Sequence, residues 1–221
     1  MSTHVIVGAN RGIGLELAKQ LHAKEDQKVI ATCRKSSEGL NATGAEVHEG
    51  VDVTSDEAVA AFAAKMKGRE LDGLIVNAGV LERNTLAHLD FDSIRKQLEV
   101  NALGPLRVVA ALRDALEDGA KVAIITSRMG SIADNGSGGS YGYRMSKTAV
   151  NAAGVSLARD LAPRRIAVGL FHPGYVRTDM TGGNGNVDPD EAAAMLLDRY
   201  ADLDMDHTGV FWHANGEELP W

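Results

Sequence analysis

The sequence predicts a single α/β domain built on a doubly wound parallel sheet of about seven strands, with helices on both faces. Two observations lead to this prediction. Short apolar runs alternate with longer amphipathic segments along all 221 residues, which is the pattern of strands joined by helices. No internal repeat or linker divides the chain, and its length is short for two domains. We therefore expect residues 1–221 to form one domain.

The predicted strands are short apolar runs of the kind that a parallel sheet buries on both faces. The third of them also alternates, through Val47, Glu49 and Val51. The predicted strands cover residues 4–7, 28–33, 45–53, 74–77, 122–126, 166–171 and 209–212.

The segments between the strands carry helix signals. Thr54 or Ser55 can cap one helix with Glu57 in its first turn, and Pro163 stops another. The predicted helices cover residues 13–24, 55–66, 91–116 with an interruption near Gly104-Pro105, 141–161 and 189–200. Strands joined by such helices form right-handed parallel units. Ligands of this kind of sheet bind beyond the carboxyl ends of its strands.

Composition and charge exclude several classes of protein. The formal net charge of -7 argues against general nucleic-acid binding and against an anionic membrane surface as partner. No apolar run approaches the roughly 18–20 residues that span a bilayer, and Asn10 and Arg11 interrupt the first apolar run, so no signal peptide is predicted. The lone Cys33 excludes an internal disulfide, and the seven histidines lack metal-ligand spacing. We expect a soluble cytoplasmic protein without a metal site.

Tyr143 and Lys147 lie four residues apart in a predicted helix, so they share one face and the ammonium can sit near the phenol. A free tyrosine has a pKa of ~10, and an adjacent positive charge lowers it. Such a pair can transfer a proton to or from a hydroxyl or carbonyl oxygen. The same spacing also occurs in surface pairs, so this interpretation depends on the rest of the chain.

A glycine-rich turn joins the first predicted strand to the first helix. Gly8 allows a tight turn, Gly12 lets the backbone approach a pyrophosphate, and Gly14 permits close packing of helix on strand. The N-terminus of the helix offers unpaired N–H groups and the positive end of its dipole. The pattern therefore predicts a site for a nucleotide's phosphates.

These residues together resemble the short-chain dehydrogenase/reductase family in its compact, single-domain, Rossmann-like form. Five motifs occur in the family's order and extend from about residue 3 to 212. The family has Thr before the first glycine, whereas this chain has Val7, which removes one hydroxyl contact. The remaining motifs are matched by residues 52–53, 77–79, 143–147 and 173–178.

The resemblance implies a nicotinamide dinucleotide cofactor. In the family, the residue at Asp52 contacts adenine, the backbone at Val176 holds the carboxamide, and the side chain at Thr178 reaches the carboxamide or a phosphate. The cofactor residues that the resemblance implies are Gly8, Asn10, Arg11, Gly12, Ile13, Gly14, Arg34, Asp52, Val53, Asn77, Ala78, Gly79, Tyr143, Lys147, Pro173, Gly174, Val176 and Thr178.

The charges near the second strand favour NADP(H) over NAD(H). A carboxylate at the end of that strand would bind ribose hydroxyls and repel a 2′-phosphate. This chain has Arg34 and Lys35 there and no acid. Arg34 can stack on adenine and pair with the phosphate, and Arg11 in the glycine turn lies on the same side.

The resemblance also implies the catalytic residues. Tyr143 would protonate the carbonyl oxygen in reduction, Lys147 would lower the pKa of Tyr143 and bind ribose hydroxyls, and Asn101 would hold a water in a proton relay. The serine has two candidates. Ser127 lies at the end of the fifth strand but 16 residues before Tyr143, whereas Ser131 is 12 residues before it, near the family's usual spacing. We prefer Ser127 because a hydroxyl at the strand end can steady the substrate oxygen.

Within the family, the motifs around Ser127 and Tyr143 look like those of C-factor/sniffer-like carbonyl reductases. The resemblance implies an NADP(H)-dependent oxidoreductase that transfers hydride between nicotinamide and a carbonyl or alcohol. The alternative is a cofactor-binding signalling or regulatory protein with incidental or no turnover. A sugar-nucleotide epimerase would need a larger C-terminal domain, and Arg164-Arg165 is too little for the docking patch of a carrier-protein-linked ketoacyl reductase.

The predicted substrate is an apolar or aromatic carbonyl compound, because the expected pocket walls are largely apolar. His172 would either touch this substrate or pack beside Pro173. Members of the family commonly form oligomers through their long helices, so the resemblance implies a homodimer or homotetramer. The expected walls are Leu81, Met129, Ile132, His172, Tyr175 and residues 180–187.

Overall fold

The computed structural model describes all residues from 1 to 221 and contains one sheet of seven strands. The strands are β1 (Ser2–Val7), β2 (Gln27–Thr32), β3 (Glu46–His48), β4 (Leu71–Val76), β5 (Leu116–Ile125), β6 (Ala167–His172) and β7 (Phe211–His213). Their order is β3-β2-β1-β4-β5-β6-β7, and every neighbouring pair is parallel. The predicted doubly wound parallel sheet is confirmed.

Seven α-helices surround the sheet. They are α1 (Gly12–His22), α2 (Glu38–Asn41), α3 (Asp56–Lys65), α4 (Phe91–Leu98), α5 (Gly104–Leu112), α6 (Tyr141–Leu161) and α7 (Pro189–Asp202), and a π-helix (Glu99–Leu103) joins α4 to α5. The predicted cap of α3 is present, since the Ser55 side chain accepts a hydrogen bond from Ala58 N. None of the helices is both long and apolar enough to cross a bilayer.

Two hydrophobic layers hold these helices on opposite faces of the sheet. Alternate strand residues divide between the layers, as Val5 and Ile6 of β1 do, because successive side chains of a strand point to opposite faces. One layer is completed by α3, α5 and α6, and the other by α1 and α7. Both faces are therefore covered, which explains why the strands read as continuous apolar runs.

The third strand is shorter than predicted. We expected it over residues 45–53, but β3 covers only Glu46–His48. Gly50 has a φ of +76°, which is not an extended conformation, although the Gly50 and Val51 N–H groups still bond to the carbonyls of Arg34 and Cys33 just after β2. Asp52 and Val53 therefore lie in a loop beyond β3.

The long predicted helix over residues 91–116 is also divided differently. It is interrupted by the π-helix, as the expectation of a break near Gly104-Pro105 implied, but α5 ends at Leu112 and β5 already begins at Leu116. Pro105 has no N–H with which to bond the carbonyl of Asn101, so regular α-helical bonding fails there. The short helix α2 was not predicted, since four residues carry too little periodicity.

The sheet order reverses between β1 and β4, which makes the carboxyl ends of these strands a crevice. The glycine turn follows β1 and residues 77–79 follow β4. The ends of β5 and β6 open onto the same edge, so the fold gathers residues from four distant parts of the sequence.

Candidate functional site

The glycine turn is packed so tightly that its spacing requires glycine. Gly8 has a φ of +85°, and a Cβ there would lie 2.8 Å from the Cα of Ala78. A Cβ on Gly14 would lie 2.1 Å from the carbonyl oxygen of Gly8. Asn77 Nδ2 donates to that same oxygen over 2.9 Å. The turn and residues 77–78 thus form one rigid floor in front of the N-terminus of α1, where orphan N–H groups can bind phosphate.

Ser37 holds the outer side of this turn, and sequence reasoning did not single it out. Its hydroxyl donates to the carbonyl of Asn10 over 2.7 Å, while its oxygen also caps α2. Arg11 is exposed and pairs with Asp179 over 2.9 Å between Nη1 and Oδ2. This ion pair joins the glycine turn to the loop after β6, so Arg11 shares its charge with a carboxylate.

Arg34 lies exposed at the end of β2, as predicted, but the structure adds an acid nearby. The Glu49 carboxylate accepts a 2.6 Å hydrogen bond from the backbone N–H of Ser36. No acid was predicted in this region because Glu49 comes from the loop after β3. Glu49 thus places a carboxylate beside the segment that carries Arg34.

Asp52 and Val53 occupy the loop beyond β3. The Thr54 backbone N–H and hydroxyl donate to Asp52 Oδ1, and the Thr54 bond, with a weaker contribution from Arg34, holds the pKa of Asp52 below its ordinary value. Arg107 was not anticipated. Its Nη1 donates to the Val53 carbonyl over 2.6 Å and its Nη2 to Glu99 of the π-helix over 2.8 Å. This arginine ties the predicted adenine loop to the helix that carries Asn101.

Asn101 is fully buried and its side chain is engaged by the protein itself. Oδ1 accepts from Val80 N over 2.8 Å, and Nδ2 donates to Val80 O over 2.8 Å and to Ser146 Oγ over 3.0 Å. Both amide protons are thus used in fixing the loop after β4 against α6. The predicted water-holding role of Asn101 stays a prediction, and its side chain acts here as an anchor.

Tyr143 and Lys147 lie buried on one face of α6, next to the end of β5. Lys147 Nζ donates to the carbonyl of Ile125 over 3.0 Å and lies 5.8 Å from the centroid of the Tyr143 ring. Burial lowers the pKa of Lys147 to about 8. The proximity predicted from the i, i+4 spacing is therefore present in the structure.

The predicted direction of the Tyr143 pKa shift is wrong for the interactions among the protein's own groups. Burial raises the pKa of Tyr143, and an interaction with the Ser127 hydroxyl opposes part of that rise. Desolvation of the buried phenol disfavours its charged form more strongly than the Ser127 hydroxyl favours it. The tyrosine is therefore held protonated at neutral pH.

The structure distinguishes the two serines. Ser127 is buried at the end of β5, its oxygen accepts from Met129 N over 3.2 Å, and it interacts with the phenol of Tyr143. Ser131 is also buried, but its oxygen accepts from Asp134 N over 3.0 Å and so closes a turn. This geometry favours Ser127 as the partner of Tyr143.

The loop after β6 closes the site from the other side. Val176 is buried and pairs with Val187, where Arg177 N donates to Val187 O over 2.9 Å. The Thr178 methyl group lies 3.4 Å from the position that a Cβ on Gly12 would occupy. Residues 173–178 therefore lie against the glycine turn, with Gly174 at a φ of +93°.

His172 packs against another histidine rather than standing free in the site. Its ring meets the His213 ring edge-on, with 4.9 Å between centroids. Burial, followed by the charges of His213, Arg128 and Lys147, lowers the pKa of His172 to about 3. The ring is neutral at physiological pH. Of the other expected pocket walls, Ile132, Tyr175 and Met180 are exposed, and no group of His, Cys, Asp and Glu side chains is arranged to hold a metal.

The crevice, the glycine turn and the buried Ser127, Tyr143 and Lys147 lie at one edge of the sheet, as the resemblance to short-chain dehydrogenases implies. The family model described as "short chain dehydrogenase" matches residues 2–187. The chain therefore belongs to the short-chain dehydrogenase family, and the resemblance inferred from the motifs is confirmed.

Two individual proteins are similar to this chain along most of its length. The chain is 44% identical to 1-hydroxy-2-glutathionyl-2-methyl-3-butene dehydrogenase of Rhodococcus sp. (strain AD45) over 227 aligned positions that cover 100% of both proteins. It is 41% identical to C-signal of Myxococcus xanthus over 164 positions, which cover 73% of this chain and 99% of that protein.

Solved structures of carbonyl reductases have the same fold as this chain. Carbonyl reductase Sniffer of D. melanogaster has a TM-score of 0.92 and 28% identity, covering 100% of this chain and 99% of that one. The NADPH-bound carbonyl reductase from chicken fatty liver has a TM-score of 0.91 and 27% identity, with the same coverage.

Proposed function

We propose that the protein is an NADP(H)-dependent carbonyl reductase that transfers hydride between nicotinamide and a small carbonyl or alcohol substrate. The observation that carries the proposal is the burial of Tyr143 beside both Ser127 and Lys147 at the carboxyl edge of the sheet. The glycine turn and α1 would hold the pyrophosphate, and residues 173–178 the nicotinamide end. The NADPH bound to the chicken reductase supports the choice of cofactor.

The protein's own groups suit the proton half of such a reduction. The cofactor supplies the hydride to the carbonyl carbon when bound. Tyr143 Oη donates its proton to the carbonyl oxygen, so that C=O becomes CH–OH and the tyrosine becomes a phenolate. Ser127 donates a hydrogen bond to the same oxygen, and the Lys147 ammonium stabilises the phenolate. A raised pKa keeps Tyr143 in the acid form that reduction needs.

The test is NADPH and NADH consumption with a panel of aldehydes, quinones and aryl ketones, together with alcohol oxidation that includes a glutathione-thioether alcohol. Tyr143→Phe removes only the acidic hydroxyl, so we expect the rate to fall about 10²–10⁴-fold with cofactor affinity retained. Turnover with any carbonyl that the phenylalanine variant abolishes supports the reductase. Equal rates in both proteins would contradict the proposal.

Cofactor choice is expected to depend on Arg34 and Glu49. In Arg34→Asp the charge beside the ribose is reversed, so kcat/KM for NADPH should fall about 10-fold or more, with little change for NADH. Glu49→Gln should act in the opposite direction. Steady-state kinetics with both cofactors measures this, and Arg113→Asp, an exposed arginine away from the site, is the control. An equal loss with NADPH and NADH in Arg34→Asp would refute the preference for NADP(H).

A cofactor-binding signalling protein is the second candidate, and the 41% identity to C-signal supports it. It requires NADPH binding with no turnover above that of Tyr143→Phe on any compound of the panel. Cofactor binding followed by fluorescence, measured beside the kinetics, therefore separates the two functions.

We also propose that the protein forms a homodimer or homotetramer. Large apolar side chains on α4, the π-helix, α5 and α6 are 39–61% exposed, namely Phe91, Leu103, Leu106 and Met145. Helices of this kind are where the resemblance implies subunit contacts. A cytoplasmic location remains a prediction from the sequence.

A further inference from the structure

The segment between the two predicted catalytic hydroxyls, residues 127–140, leaves the body of the protein and returns to it. Residues 132–138 are exposed. The return to α6 is sharply bent, because Gly138, Gly139 and Ser140 all have positive φ, at +61°, +65° and +47°. Ser140 adopts this conformation without glycine's freedom, so the bend must be held by surrounding contacts.

Arg144, the residue after Tyr143, bridges the two ends of this segment. Its Nη1 lies 3.5 Å from the carbonyl oxygen of Met129 at the start. Its Nε donates to the Gly138 carbonyl over 3.3 Å and its Nη2 to the Ser137 hydroxyl over 2.8 Å at the end. A planar guanidinium can hold several acceptors in fixed directions, which a lysine cannot do.

Thr148 secures the same segment one helical turn later. Its hydroxyl donates to the Gly130 carbonyl over 2.9 Å. Gly130 lies so close to α6 that a Cβ there would be 2.7 Å from the carbonyl carbon of Lys147. Residues 144 and 148 share one face of α6, adjacent to the face that carries Tyr143 and Lys147. The same stretch of α6 thus carries the predicted catalytic pair and contacts residues 127–140, here called the serine segment.

We propose that Arg144 is a positioning residue that holds the serine segment closed and thereby sets Ser127 against Tyr143. The inference rests on the proposed function, since it assigns a task to a residue beside that site. Without the guanidinium, residues 129 and 138 lose the side chain that links them, and the segment is held only by its other contacts, such as the bond from Thr148 to Gly130. Ser127 at the start of the segment is then positioned less firmly. Misplacement of a catalytic group by about 1 Å can cost on the order of 100-fold in rate.

The first test compares Arg144→Ala, Arg144→Lys and Ser127→Ala with the wild type. We expect kcat to fall about 10-fold or more in Arg144→Ala, less in Arg144→Lys, with unchanged affinity for NADPH. Because Arg144 acts through Ser127, the double variant Ser127→Ala/Arg144→Ala should be no slower than Ser127→Ala alone. Arg159→Ala, an exposed arginine on the same helix, is the matched control. Multiplied losses in the double variant would overturn the proposal.

A pH profile distinguishes positioning from a general structural defect. In alcohol oxidation Tyr143 must be deprotonated, so the rate rises through its pKa. The Ser127 interaction opposes the rise in the pKa of Tyr143, so its loss moves this limb to higher pH. Arg144→Ala and Ser127→Ala should show the same displacement, and a limb at the wild-type position in Arg144→Ala would overturn the proposal.

Hydrogen exchange provides a readout that does not need turnover. Amides of residues 129–138 should exchange faster in Arg144→Ala, while peptides from the C-terminal half of α6 stay unchanged. If Arg144→Ala exchanges faster but the wild type reduces no compound of the panel, the proposed function is contradicted and the bridging role of Arg144 is supported. Unchanged exchange of this segment in Arg144→Ala would defeat the inference whatever the activity.

Discussion

Lys147→Met is expected to eliminate turnover and, at neutral pH, to stabilise the folded protein. The ammonium is buried beside Tyr143, where the proposed reaction needs it to stabilise a phenolate. Burial lowers the pKa of Lys147 from 10.5 to about 8, so the charged form is disfavoured by folding. A shift of this size corresponds to roughly 3 kcal/mol. Methionine has a similar volume and carries no charge, so it avoids this cost, although it loses the bond to Ile125 O and the contact of the ammonium with the Tyr143 ring.

The sign of this effect fixes its dependence on pH. Between about pH 8 and 10.5 the unfolded chain binds a proton at Lys147 that the folded protein does not. The free energy of unfolding of the wild type therefore increases as pH rises through this window. Below about pH 8 the wild type bears the full cost of burying the charged lysine. The stability advantage of Lys147→Met should be greatest at pH 7 and should shrink towards pH 10.

Urea unfolding of both proteins at pH 7 and pH 9.5 measures the effect, because the difference between them cancels the titration of all other groups. Activity is measured in parallel with NADPH. Lys28→Met, which removes a half-exposed lysine far from the site, is the control and should leave kcat unchanged. A methionine variant whose stability difference from the wild type does not vary with pH would contradict the prediction.

Gly73→Ala, at the edge of the sheet opposite the site, is expected to destabilise the protein strongly. A Cβ at Gly73 of β4 would lie 1.6 Å from the Tyr200 hydroxyl and 2.5 Å from His4 Nδ1. These two side chains are buried and share a 3.0 Å hydrogen bond, so neither can move without breaking it. Overpacking of this kind costs about 3 kcal/mol, which for a chain of this length lowers Tm by roughly 6–12 °C.

Thermal unfolding tests this prediction, and Tyr200→Phe supplies its internal check. The phenylalanine removes the closest atom, so the double variant Gly73→Ala/Tyr200→Phe should lose less stability than the two single changes added together. Gly136→Ala is the control, because a Cβ there meets nothing within 4 Å. Since the clash lies at the opposite edge from Tyr143, kcat/KM of the folded fraction should be unchanged. A Tm for Gly73→Ala equal to that of Gly136→Ala would contradict the prediction, because it would mean that β4 moves enough to accommodate the methyl group.

Several features of this protein were predictable from local sequence because their causes are local. The alternation of apolar runs and amphipathic segments indicated the parallel sheet, and Ser55 indicated the start of α3. The glycine spacing follows from contacts within one turn, since Gly14 faces the oxygen of Gly8. The spacing of Tyr143 and Lys147 follows from helix geometry alone. Such signals identified the family, and the family implied the site.

Other features depend on residues that are far apart in the sequence, and only the tertiary structure decided them. Glu49 reaches the end of β2 from another loop, and Arg107 connects the loop after β3 to the π-helix. The direction of the Tyr143 pKa shift was wrong because spacing reports the neighbouring charge but not the desolvation that the whole fold imposes. The bridge made by Arg144 is equally invisible in the sequence, since it depends on where a bent segment returns to its helix. Local spacing thus determines which groups can meet, whereas burial and long-range contacts determine their protonation state and how firmly they are positioned.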